Sequence, residues 1–259
     1  LWPIFFGLSI FIFKKKNKLF GLFILTFILS EALIFLSGDR SAFFFINLSA
    51  IFVVLFSQKL KKLRLFTLFS SLLIIIAINF FNPVAKERVF DQTLNQMNLV
   101  GKENKNNKEQ IYVFSKTHHE IYTSAIKMFL DNRIIGIGVK NFRNKCFERK
   151  YYVNDKKICF NHPHNTYIQI LTETGLIGFL FLVTILFIFC KHIISHVLEK
   201  LKKKSYFSDF EICILSGIAI YLWPFVPTGN FFNNWLSIMM ILNLPFLIWS
   251  RKSNKAQNL

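Results

Sequence analysis

Acidic residues are scarce in this chain: 14 Asp and Glu stand against 32 Lys and Arg in 259 residues, a formal charge of +18. Nowhere do the carboxylates cluster, which excludes a site built from several Asp and Glu side chains around a hard cation. Cysteine is sparse too, with four residues in all. Cys190 and Cys213 fall in apolar runs and read as packing residues. There is no internal repeat and no Gly/Ser- or Pro-rich linker. The first residue is Leu1, not Met, and it lies in an apolar run over 1–13. As a helix that run spans only about 20 Å, and it lacks the cleavage site of a signal peptide. The expectation is a fragment preceded by further membrane helices.

What the chain does have is apolar residues in blocks. They make up 53% of the sequence and fall into runs at 1–13, 19–36, 41–57, 65–81, 168–190, 210–226 and 235–249. Most approach the ~20 residues needed to cross a bilayer core. The 33 phenylalanines are read as the codon bias of an AT-rich genome, not as a binding surface. Basic residues gather in alternate connections: Lys14, Lys15, Lys16 and Lys18; Lys59, Lys61, Lys62 and Arg64; Lys191, Lys200, Lys202, Lys203 and Lys204; Arg251, Lys252 and Lys255. The intervening short connections carry only Arg40. Because cationic loops resist translocation, the pattern predicts an all-α polytopic membrane protein. It would have about seven transmembrane helices, four in 1–81 and three in 167–250. Residues 82–166 would form one long outer loop and 251–259 a cytoplasmic tail.

That loop holds 15 Lys and Arg against 8 Asp and Glu. Residues 91–110 are polar and Asn/Lys-rich and read as mobile. Thr117-His118-His119-Glu120 then fits a capping box. Ile121, Ala125, Met128 and Phe129 follow at helical spacing, predicting an amphipathic helix over 117–131 that ends at Gly136 and Gly138. Cys146 and Cys159 lie further along. In an oxidising compartment two such thiols are expected to pair, with two free thiols or a zinc site with His162 and His164 as alternatives. His-x-His across Pro163 does not resemble usual structural zinc patterns.

His162-Pro163-His164-Asn165-Thr166-Tyr167 is the densest polar cluster, placed where the loop re-enters the membrane. Asn165 is a candidate N-cap, and Thr166, Gln169 and Glu173 would share one face of the following helix. In isolation the cluster could merely cap that helix. Arg40 could likewise only snorkel to lipid phosphates. Glu31, a carboxylate inside an apolar run, is either functional or interfacial.

Taken together these residues resemble the O-antigen ligase/polymerase family. Ser37-Gly38-Asp39-Arg40-Ser41-Ala42 is similar to its "SGSRGA"-type motif. The segment 128–142, with Gly136-Ile137-Gly138 and Asn141-Phe142, is similar to its "GvGxgnF" segment. His164-Asn165-Thr166-Tyr167, followed by Leu171, Glu173, Gly175 and Gly178, matches its "HNxyLqxlxEtGxxG" segment. Cys146 and Cys159, flanking the approach to the His-Pro-His-Asn turn, also look like a subset of bacterial members. One departure stands out: where members carry an Arg a turn before an aromatic residue, this chain has His118 before Tyr122. Arg133, Arg143 or Arg149 would then supply that charge.

The resemblance implies transfer of a glycan from a polyprenyl-diphosphate carrier to an acceptor, a glycan or lipid A-core, on the periplasmic face of a bacterial inner membrane. His164 would act as the base and Arg40 would hold the diphosphate. Glu173, Asn165, His118 and Arg143 would bind substrate. The partners are then the carrier-linked donor, the acceptor and membrane lipid, with no nucleic acid, no cofactor and no metal. The alternative is a transporter or flippase with Glu31 and Arg40 as a buried ion pair. It is weaker because neither broken helices nor repeat symmetry is evident in the sequence.

Overall fold

A computed structural model describes Gly7 and residues 17–58, 61–99, 111–204 and 206–256. Apart from Gly7, the expected first crossing at 1–13 lies outside the described residues. The principal helices are α1 (Asn17–Ser37), α2 (Arg40–Phe56), α3 (Lys61–Phe81), α4 (Lys116–Asp131), α5 (Thr166–Leu201), α6 (Asp209–Tyr221), α7 (Asn234–Ile241) and α8 (Asn243–Ala256). Among the described residues there is no strand, and a single β-bridge joins Val153 and Lys156.

Two helical segments are long and apolar enough to cross a membrane, Arg64–Phe81 and Thr166–Leu201. Ile24–Ser37 and Arg40–Phe56 are apolar but shorter. Seven crossings are therefore not observed. Over the run 210–226 the helix stops at Tyr221 after 13 residues, ahead of Pro224 and Pro227. Over the run 235–249 it breaks at Leu242, where Asn243 Nδ2 donates back to the carbonyls of Met239 and Met240 at 3.0 and 3.1 Å. Of the segment read as mobile, residues 100–110 lie outside the described residues; ahead of them, π-helical turns over Glu87–Asp91 lead into α-helix at Gln92–Gln96.

The chain divides into two compact units, 1–85 with 189–223 and 238–259, and 86–188 with 224–237. In the first, only two residues, Gly38 and Asp39, separate α1 from α2. Gly38 takes the left-handed conformation that Cβ-bearing residues avoid (φ 75°), and Asp39 caps α2 by accepting from the Ala42 N–H at 3.0 Å. Glu31 is buried in α1 and accepts a hydrogen bond from Ser71 Oγ of α3, with Asn47 alongside. Its partners are these neutral groups, so the ion pair with Arg40 imagined for a transporter is not formed.

The C-terminal carbonyls of α2 are capped by side-chain N–H groups. Arg64 donates to Val53 O at 2.6 Å, Lys200 to Leu55 O at 2.8 Å, and His196 Nε2 to Phe56 O at 2.9 Å. Positive groups at the negative end of a helix dipole are stabilising. Two cations that looked like free loop charges, Arg64 and Lys200, thus also hold the helix end.

The second unit is built around α4. Its N-cap is Ser115, whose Oγ accepts from the His118 N–H at 3.2 Å. The helix therefore starts earlier than the Thr117 pattern suggested. Ile121, Ala125 and Met128 are buried on one face, and Ile137, Phe142, Cys146 and Tyr151 complete the core. Cys146 and Cys159 are joined as a disulfide with Cα atoms 5.2 Å apart, while Cys190 and Cys213 are free.

The apolar run expected as one helix is broken. Gly175 in α5 has φ 66° and ψ −163°, a region open almost only to glycine. The break frees backbone groups, and the loop after α4 satisfies them. Ile137 and Gly138 donate to the Thr172 and Glu173 carbonyls, both at 3.0 Å, while Leu176 and Ile177 donate to Arg133 O and Ile134 O at 2.8 and 3.3 Å. Four main-chain bonds thus splint the two halves of α5 through one loop. In transporters such breaks bind ions; here the chain's own peptide groups occupy the break.

Candidate active site

Of the expected site residues in the second unit, His118, His164 and Asn165 come together where α5 begins. Asn165 caps the helix, its Oδ1 accepting from the N–H groups of Tyr167 and Ile168 at 3.0 and 3.1 Å. Its Nδ2 donates to Pro224 O at 2.8 Å. The carboxamide is thus engaged on both sides by the protein itself. The turn is fastened to 224–228 again where Thr228 N–H donates to His164 O at 2.8 Å and where His162 Nε2 donates to Thr228 O at 3.3 Å.

Held in this way, His164 takes a left-handed backbone (φ 57°). That conformation costs a β-carbon residue roughly 1–2 kcal/mol and persists only where the surroundings enforce it. Its ring lies 4.1 Å from the ring of His162, 6.0 Å from His118 and 5.8 Å from Phe160, centroid to centroid. Among the described residues no hydrogen bond engages either nitrogen of the His164 ring. Burial lowers its pKa below the ordinary histidine value, because a charged imidazolium loses hydration there. Burial also lowers that of His162, as does the nearby charge of His164, with the Thr228 carbonyl acting the other way. Both rings are therefore neutral at neutral pH. With Nε2–H of His162 given to Thr228, its Nδ1 is a bare acceptor, buried without a partner.

A cavity of about 250 Å³ opens beyond His118, lined by Phe114, Ser115, His118, Tyr122, Asn165 and Pro224, among others, but not by His162 or His164. His118 is oriented by Ser115, Nδ1 to Oγ 2.8 Å. The Tyr122 hydroxyl is buried without a hydrogen-bond partner, and burial pushes its pKa up to about 12. It remains a protonated donor at the cavity wall.

Glu173 does not face this cluster. It is buried at 1% exposure and accepts from the backbone N–H groups of Lys140 and Phe142 at 3.0 and 3.2 Å and from Gln169 Nε2 at 3.1 Å. In the fold its carboxylate holds the loop over 136–142 in place. Arg143 lines a second cavity of about 370 Å³. Arg40 belongs to the other unit, where it is the first residue of α2. Among the described residues no three His, Cys, Asp or Glu side chains gather so as to hold a metal ion. With Cys146 and Cys159 bonded to each other, the zinc alternative has no thiolate.

The profile of the O-antigen ligase family matches residues 24–183, a stretch that contains Arg40, His118, Arg143, His164 and Glu173. The chain belongs to the O-antigen ligase family. No curated protein and no solved structure matches it. As members of this family are membrane glycosyltransferases, the apolar helices fall into place as membrane helices and the His164 turn as the candidate site. From the sequence, neither Tyr122 nor His162 was given a part in glycan transfer. Tyr122 does stand at the aromatic position of the loop-helix motif, and His162 lies two residues from the motif histidine. Those were the available signals.

Proposed function

We propose that the protein transfers a glycan from a polyprenyl-diphosphate carrier to an acceptor sugar hydroxyl at the periplasmic face of a bacterial inner membrane, as a ligase or a polymerase. The observation that carries this reading is His164: a neutral imidazole with unengaged nitrogens, fixed on a strained turn beside His118, which lines a cavity. The acceptor oxygen attacks the anomeric carbon as its proton passes to His164. The bond from that carbon to the phosphate oxygen breaks, and its electrons leave with the diphosphate. Arg40 is proposed to hold the diphosphate in bidentate contact, a geometry that lysine lacks. With no carboxylate cluster in the sequence, the reaction is proposed to run without a metal. The net positive charge of the loop would draw an anionic carrier.

The test is exchange of labelled carrier-linked glycan by the purified protein. Transfer cleaves the glycan from the diphosphate, whereas a flippase leaves that bond intact, and an intact bond after turnover would discard the reading. A deletion strain then distinguishes the acceptors. Lipid A-core without polymer means a ligase, and core with single repeat units means a polymerase.

Arg40→Lys should lose transfer by about tenfold or more, in both binding and turnover, as a bidentate contact becomes a point charge. If Arg40 only snorkels to lipid phosphates, lysine will serve and activity will stay at the wild-type level. Reporter fusions after Asp39 and Gly229 should read outside, and those after Lys62 and Lys203 inside. A cytoplasmic signal at Gly229 would remove the periplasmic assignment, because Thr228 is hydrogen-bonded to the His164 turn.

A further inference from the structure

The second cavity, about 370 Å³, is lined by Lys140, Arg143, Asn161, Asn230, Asn233, Asn234 and Trp235. Its chemistry differs from that of the first. Two cations, four carboxamides and one aromatic ring face it, and no carboxylate does. Two other basic residues of the same unit are paired, Lys145 with Glu148 at 2.6 Å and Lys150 with Asp131 at 3.0 Å. Among the described residues Lys140 and Arg143 form no ion pair. Trp235 is 74% exposed, so its ring is open to a ligand.

The wall is built rigidly. Lys140 takes a left-handed backbone (φ 59°), and its N–H is anchored on buried Glu173 at 3.0 Å. Gln169, 0% exposed, donates to Asn230 Oδ1 at 2.8 Å, and the Phe232 N–H donates to the same oxygen at 2.9 Å. With its oxygen occupied twice, Asn230 has a fixed amide plane. A buried Glu173–Gln169–Asn230 chain thus ties Lys140, from the loop after α4, to the segment that carries Trp235.

We infer that this cavity is a subsite for a sugar carrying an anionic group, a carboxylate or a phosphate, within the glycan that the protein handles. Carboxamides match the paired donors and acceptors of sugar hydroxyls. The apolar face of a pyranose can lie on the Trp235 ring, and Arg143 with Lys140 would bind the anion. Asn161 lines this cavity and Asn165 the one beyond His118. Four residues span at most about 14 Å, so the bound sugar lies only a few units from the reacting one. Lys140, Arg143 and Asn161 lie within the stretch matched by the family profile, and Asn230, Asn233, Asn234 and Trp235 beyond it. The inference rests on the glycan-transfer reading, but it can be tested separately.

The experiment is calorimetric titration of the full chain in phosphatidylcholine nanodiscs with glucose, glucuronic acid, glucose 6-phosphate and inorganic phosphate. At least one acidic sugar should bind about tenfold tighter than glucose, the factor expected of a charge-assisted contact. Whichever of the two binds tighter identifies the anion. Arg143→Gln and Lys140→Gln should each erode that preference, and Trp235→Ala should weaken acidic and neutral sugars alike. Equal affinity for glucose and both acidic sugars would overturn the subsite, as would inorganic phosphate binding as tightly as the better acidic sugar. Variants that change nothing would do the same. His164→Ala should bind the acidic sugar as wild type does. Transfer without such binding refutes the subsite alone, and binding without transfer refutes the transfer reading alone.

Discussion

His164→Ala should reduce glycan transfer by at least about a hundredfold, the usual loss when a positioned base is removed, while binding of the carrier is retained. Alanine at a left-handed position also adds backbone strain, so His164→Asn is the sharper variant. Asparagine tolerates that conformation and removes only the base, and it should be as inactive as alanine with less loss of stability. His162→Ala should be milder, because its Nε2 is engaged with Thr228. The pH profile carries a sign. Burial favours the neutral ring, so the pKa lies below 6.5. Transfer should therefore be flat from pH 6.5 upward and fall only as the pH drops through that lowered pKa. Membranes with matched expression, assayed over pH 5–8, decide the matter. An active His164→Asn, or a rate still climbing above pH 7, would show that another group takes the proton.

Gly175→Ala should unfold the second unit, costing more than about 4 kcal/mol, at the extreme of single substitutions. Two effects coincide. The backbone at Gly175 is open almost only to glycine, and an added Cβ would collide with the Ile134 carbonyl group. Gly136→Ala should be similarly severe, since its Cβ would lie 2.5 Å from the main chain of Glu173 and Thr174. Neither backbone can withdraw without giving up the four splinting hydrogen bonds. Gly138 is the control. It too has positive φ, but a Cβ there meets nothing closer than 3.7 Å, so Gly138→Ala should cost only the roughly 1 kcal/mol of conformation. Thermal melts in detergent and protease resistance of the segment 111–165 should rank the three variants. If Gly175→Ala melts alongside Gly138→Ala, the close backbone crossing is wrong.

The sequence made some of this legible and hid the rest for identifiable reasons. The buried face of α4 was readable because Ile121, Ala125 and Met128 repeat at helical spacing. The Asn165 cap was readable because a polar residue precedes an apolar run. The true cap of α4 was not, since Ser115 and Thr117 both satisfy the same local pattern and only the tertiary contacts of His118 choose between them. The break at Gly175 was hidden because one glycine in an apolar run is usually tolerated inside a helix, and its partners are peptide groups with no side-chain signature. The interruption at Asn243 was hidden because hydropathy passes smoothly over it along 235–249. Glu173 was correctly placed on the buried face of α5. Its partners, the N–H groups of Lys140 and Phe142, lie more than thirty residues earlier in the chain, so its role could not be inferred locally. The cavity with Trp235 unites segments about ninety residues apart and corresponds to no motif.

The splint across α5 also bears on how the second unit comes apart. Left to itself, Gly175 would be a hinge at which the two flanking stretches of helix could fray independently. With four main-chain bonds running to the loop after α4, the helix on both sides of the break and that loop must open together, so amide exchange at Ile137, Gly138, Leu176 and Ile177 should proceed at one common rate.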